Sequence, residues 1–139
     1  MSYQEKQTWA YLVISAVAFL GYLAVIIAKA GAGPWSDVDY VAPMLWAIGA
    51  SIVAAIVVGI GLGIAKPGER HRADVRDREI DRHGEYLAGI VLGVGMVLPL
   101  ALTMAEARHF WIANAIYAVF VLSAAVGATA KVIAYRRGF

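Results

Sequence analysis

Four stretches of the chain, residues 9–28, 41–65, 86–105 and 110–130, contain no Asp, Glu, Lys or Arg. They hold 20, 25, 20 and 21 of the 139 residues. At 1.5 Å of rise per helical residue, each is long enough to cross a hydrocarbon core of about 30 Å. A segment in lipid must satisfy its own backbone hydrogen bonds, which leaves the helix as its conformation here. The expected fold is therefore all-α: an integral membrane four-helix bundle forming one domain over residues 1–139, multi-pass in a cell membrane. Composition agrees, with 61% hydrophobic residues, 16% charged and a mean hydropathy of +0.69. Soluble domains run at roughly 45–50% apolar and about 25% charged. Disorder, a secreted disulfide scaffold and a freely soluble enzyme are excluded on these grounds.

Positive charge sets the expected topology. An inner side that includes both termini holds Lys6, then Lys66, Arg70, Arg72, Arg76, Arg78 and Arg82, then Lys131, Arg136 and Arg137. That is ten of the twelve Lys and Arg, with Lys29 and Arg108 outside. The bias of basic residues toward short cytoplasmic loops predicts N-in/C-in. Trp9, Tyr11, Tyr86 and Tyr135 are expected at the inner interface, and Trp35, Tyr40, Trp46, Trp111 and Tyr117 toward the outer one. The first apolar run exceeds the roughly 7–15 residues of a signal-peptide core, and Glu5 nearly balances Lys6, so a retained anchor is expected.

Turn chemistry and small residues divide the chain further. Pro34, within a Gly- and Ala-rich turn, bars continuation of the first helix, while Pro43 is tolerated in the first turn of the second. The turn at 106–109 is so short that the third and fourth spans must form an antiparallel hairpin. Ser51, Ala55, Gly59 and Gly63 recur every four positions, and Gly89 and Gly93 repeat the small-xxx-small spacing. In lipid such stripes permit close backbone approach, so these six form the expected packing face, within the bundle or between two copies. Pro99 removes the helical donor to the Gly95 carbonyl and marks a kink or a tolerated irregularity.

The spans contain no ionisable group for proton exchange and no paired axial ligands for haem. Zero cysteines remove thiol relays, Cys-ligated zinc and iron–sulfur centres. Motifs of nucleophile elbows, zinc hydrolases and phosphate-cradling loops are absent. The expectation is a protein that is not an enzyme, with no cofactor and no metal. Glu106 and His109 have the Glu-x-x-His spacing that di-iron bundles use twice, but it occurs once. With Asn114 they read as an outer polar turn and a weak ligand candidate. The net charge of +2 supplies no basic arm, so direct nucleic-acid binding is not expected.

The loop at 66–85 carries six basic and six acidic residues. Arg70/Asp74, Asp74/Arg78 and Glu79/His83 are four apart, and Arg78/Asp81 and Glu79/Arg82 three apart. Each such pair stabilises an exposed helix by about 0.2–0.5 kcal/mol. This predicts a charged cytoplasmic helix over 72–82 that leads into the third span, loosened at Gly84. Its plain reading is a solvated, self-paired face. Its functional reading is a partner-docking surface made of Arg70, Asp74, Arg76, Asp77, Arg78, Glu79, Arg82 and His83. Carboxylates that face guanidinium groups are poor general acids, because pairing depresses their pKa.

The run Asp74-Val-Arg-Asp-Arg-Glu-Ile-Asp-Arg-His-Gly-Glu-Tyr86, of pattern D-x-R-D-x-x-I-x-x-x-G-E-Y, resembles a group of small four-span bacterial membrane proteins of actinobacterial type and uncharacterised function. The glycine-rich third span, the segment from Glu106 to Tyr117 and the ending Ala134-Tyr-Arg-Arg-Gly-Phe139 are similar too. The resemblance implies a bacterial membrane and pairing with a small helix-turn-helix regulator; it brings no activity, cofactor or catalytic residue.

Two functions are expected from these features. The first is a non-catalytic scaffold, regulatory or accessory subunit, embedded among membrane lipids as a homo-oligomer or complex subunit, with the charged loop docking a cytoplasmic partner. The alternative is a small channel or facilitator for uncharged or lipidic molecules, with Ser51, Asn114 and Ser123 as its few polar contacts.

Overall fold

The computed structural model describes residues 3–65 and 75–137, and all of its long elements are helices. Helix α1 spans Tyr3–Ala30, α2 Val41–Ala65, α3 Val75–Gly95, α4 Val97–Met104 and α5 His109–Arg137. A short 3-10 turn at Trp35–Asp37 lies between α1 and α2. With α3 and α4 counted as one span, four helical segments are long and apolar enough to cross a membrane. The described residues thus form an all-helical fold with four segments fit to cross a membrane.

Local chemistry explains the helix ends. Glu5 in the first turn of α1 and Lys29 in its last complement the helix dipole. Gly31, at φ +52°, takes the left-handed position that stops α1, and its N–H still reaches the Ile27 carbonyl at 3.2 Å. Glu106 plays the same part after α4 at φ +53°. The N–H of Ala107 bonds the Leu102 carbonyl at 2.9 Å and that of Glu106 the Thr103 carbonyl at 3.1 Å, a Schellman closure with a glutamate where glycine is usual.

Two features differ from the sequence expectation. The helix that carries the third span starts before Tyr86: α3 runs without interruption from Val75 through Gly84 to Gly95. Gly84 does not loosen a junction there, because it is buried where α3 crosses α5. The helix breaks instead at Met96, three residues before Pro99, where the proline withholds a donor from Gly95. Likewise α1 and α5 extend past the uncharged windows 9–28 and 110–130, since helices continue into the interface where their polar ends pair with each other.

The helices pack in the order α2, α1, α5, then α3 with α4: α1 touches α2 and α5, and α5 touches α3 and α4. Helix α2 leans on α1 and meets no other helix to a comparable extent, and none of its residues is buried. The outer-facing side chains Leu45, Trp46, Val53 and Val57 are exposed. A water-soluble fold would not leave so continuous an apolar face uncovered, whereas lipid solvates it.

The core has two parts. Tyr22, Ile26, Phe110 and Tyr117 form an aromatic cluster, with Phe19, Tyr40, Met44 and Ile48 packed around it. Phe19 and Tyr22 each meet Tyr117 edge-to-face at 5.3 Å, and Tyr40 meets Phe110 at 5.4 Å. Tyr40 and Tyr117, expected in an interfacial belt, therefore serve the core; Trp35, Trp46 and Trp111 stay exposed. The second part is the α3–α5 crossing. A Cβ on Gly127 would lie 2.9 Å from Ala88 Cβ, one on Gly95 would lie 2.6 Å from Val119 Cγ1, and Ser123 Oγ donates to the Ala88 carbonyl at 2.8 Å.

Candidate functional site

Polar residues gather where the first turns of α1, the first turns of α3 and the last turns of α5 meet. Asp77, Asp81 and Glu85 recur every four residues, so they share one side of α3. With Arg78 they line a cleft of about 430 Å³ whose other walls are Gln4, Gln7, Thr8, Tyr11, Lys131 and Tyr135. The Lys131 ammonium, largely covered, pairs with Asp81 and lies 3.8 Å from the Glu85 carboxylate. Tyr135 donates its hydroxyl to Gln4 Oε1 at 3.0 Å, and Gln7 Nε2 donates to Tyr11 Oη at 2.6 Å. Behind them the Arg136 guanidinium stacks 5.6 Å from the Trp9 ring centroid, with its Nε 3.9 Å from the Glu5 carboxylate. These contacts tie three helix ends together. Chemically they set carboxylates beside cations across three helices, an arrangement suited to fixing geometry.

The expected docking set is thereby divided. Asp77 and Arg78 line the cleft, whereas Arg76, Glu79, Arg82 and His83 are exposed on the remainder of α3. Arg70 and Asp74 lie outside the described residues. Asp81, expected to pair along its own helix with Arg78, engages Lys131 of α5. The reason is geometric: the buried contacts of Ile80 and Gly84 turn the 77/81/85 side of α3 inward, toward α5.

The packing set is divided as well. Ser51, Ala55 and Gly59 are half-buried. Ser51 and Ala55 share a small cavity with Leu12 and Ser15 of α1, and a Cβ on Gly59 would lie 3.4 Å from Tyr11 Oη. Gly63 lines a groove with Tyr3, Gln7 and Tyr11. This stripe is the face that α2 turns to α1. Among the described residues, Gly89 and Gly93 meet nothing: a Cβ at either would have no neighbour within 4 Å, so they take no part in the packing seen there. Gly84, Ala88, Ser123 and Gly127 take that role. Their signal, two more small-xxx-small pairs facing each other across an antiparallel hairpin, is present in the sequence.

At the opposite end, Arg108 bonds Ser36 Oγ at 2.6 Å and the Asp37 carboxylate, linking the α1–α2 turn to the start of α5. Glu106 and His109 are exposed beside it. Asn114 is engaged within the protein: its Nδ2 donates to the Phe110 carbonyl at 2.8 Å, and its Oδ1 accepts from the Tyr22 hydroxyl at 2.6 Å. Among the described residues, no three His, Asp or Glu side chains come together in a group that could hold a metal ion. Of the three polar residues expected in a conducting pathway, Ser51 lines a cavity, while Asn114 and Ser123 bond across helix pairs. Compared with family models, curated proteins and solved structures, the chain matches none.

Proposed function

We propose that this protein is a non-catalytic scaffold, regulatory or accessory subunit of a bacterial cell membrane, inserted N-in/C-in, with the charged turns of α3 as its docking surface for a cytoplasmic protein. One observation carries this reading: Arg76, Glu79, Arg82 and His83 stand exposed on a helix whose other side is clamped by Ile80, Gly84 and the Lys131 pairing. A charged surface held by a rigid backbone loses little further conformational freedom on binding, which favours recognition. The opposite sides of the helix thus divide the work, one anchoring and one presenting.

The test is site-specific photo-crosslinking in native membranes from positions 75 and 86, both exposed on α3. A discrete adduct is expected that disappears when Glu79→Lys and Arg82→Glu are introduced, while the amount of inserted protein stays constant. An adduct pattern unaffected by both substitutions would refute the proposal.

A further inference from the structure

A second feature lies at the other end of α1. Val17, Gly21, Val25 and Lys29 form one edge of α1, and with Ala42, Pro43 and Trp46 of α2 they enclose a groove of about 580 Å³. Its floor is open because a Cβ at Gly21 would touch nothing within 4 Å. Its walls are apolar along their length and end in a single cation, Lys29. Among the described residues, the ammonium of that lysine makes one long contact, 3.4 Å to the Asp39 carbonyl. Trp46, 78% exposed, lies in the second turn of α2.

The length of this groove is informative. Val17 and Lys29 are twelve residues apart, a rise of about 18 Å along a helix. One leaflet of a hydrocarbon core is about 15 Å deep. The groove therefore starts near the bilayer midplane and ends at headgroup level, where lysine extends its ammonium into the interface and tryptophan is favoured.

We infer that the α1–α2 groove holds one phospholipid, with an acyl chain along Val17, Gly21 and Val25 and the phosphate of a net-anionic headgroup on Lys29. An inorganic anion would leave the apolar walls unfilled, a lipid without phosphate would leave the ammonium with its long contact to Asp39, and in a zwitterionic lipid the headgroup's own ammonium competes with Lys29 for the phosphate. The occupant is therefore amphipathic and negatively charged at one end, as phosphatidylglycerol is. This lipid sits on the α2 side of the molecule, remote from the charged turns of α3, so the inference stands apart from the docking proposal.

The experiment is native mass spectrometry of the full chain, released from detergent with phosphatidylglycerol, phosphatidylethanolamine or inorganic phosphate added separately. The wild type is expected to retain one phosphatidylglycerol. Lys29→Gln should weaken that retention about fivefold, the weight of one basic residue beside an anionic headgroup, and affect phosphatidylethanolamine less. Gly21→Leu, which fills the floor, should abolish retention of both lipids, whereas Gly61→Leu, at another open position, should change nothing. Equal phosphatidylglycerol retention by wild type and Lys29→Gln would overturn the inference, as would an inorganic phosphate adduct that depends on Lys29. Should Gly21→Leu fail to fold, the Lys29→Gln comparison decides alone.

Discussion

Lys131 lies across Gly84. Its aliphatic stem covers the space that a Cβ would take, and its ammonium pairs with Asp81 one turn earlier on the same helix. A Cβ on Gly84 would also come within 2.9 Å of the Gly127 carbonyl. The cation of α5 can reach the carboxylates of α3 because glycine lets the two backbones approach.

Gly84→Ala is accordingly expected to destabilise the protein by about 1–3 kcal/mol, the usual cost of overpacking against backbone. Gly127→Ala, whose Cβ would lie 3.0 Å from the Gly84 carbonyl oxygen, should behave alike. Gly89→Ala and Gly93→Ala face open space, so they should be neutral or gain up to about 1 kcal/mol from helix propensity. Unfolding midpoints in mixed detergent–dodecyl sulfate micelles separate the two pairs. If all four variants behaved alike, the α3–α5 crossing described above would be wrong.

The Tyr22–Asn114 bond joins α1 to α5 inside the aromatic cluster. Hydrogen bonds between membrane helices contribute about 0.6 kcal/mol on average, with a maximum near 1.7. Tyr22→Phe should cost an amount in that range. A double-mutant cycle with Asn114→Ala should return a coupling energy of the same sign and similar size. Strictly additive losses would show that the two side chains do not interact.

Glu106 occupies a left-handed position that disfavours residues with a Cβ. Glu106→Gly should therefore stabilise the chain by about 0.5–1 kcal/mol, after allowing for the greater freedom of glycine in the unfolded state. The same micelle titration measures it. A lowered midpoint would mean that the glutamate side chain makes a contact worth more than the backbone strain.

Because the chain has no cysteine, its topology can be mapped by adding one at a time. In intact cells, Glu106→Cys should react with a membrane-impermeant maleimide, and Arg76→Cys should react only after permeabilisation. Reversed reactivity would place the charged turns of α3 outside and refute the docking proposal.

Much of the architecture is legible in the residue order, because lipid imposes few and strong rules. Uncharged runs of 20 or more residues mark the spans, and Pro34 and Pro43 bracket the first connection as they do in the structure. Pro99 likewise marks the place near which α3 gives way to α4. Less was legible at the polar end. The four-residue spacing of Asp77, Asp81 and Glu85 is visible in the sequence, but so are several pairings within the same stretch. Local pairing energies of a few tenths of a kcal/mol cannot choose among them. The choice falls to the α3–α5 contact, which turns one side of the helix inward.

The glycines make the same point. Gly59, Gly89, Gly93 and Gly127 look equivalent as small residues on apolar helices, yet only some of them meet a neighbour. Hydropathy alone determined that this chain has four segments long and apolar enough to cross a membrane as helices, since burying a backbone in hydrocarbon leaves no alternative to the helix. Which helices touch, and hence which glycines are crossings and which carboxylates are anchors, was decided by tertiary packing. Every apolar face is equally at home in lipid, so only shape and a few hydrogen bonds distinguish one neighbour from another.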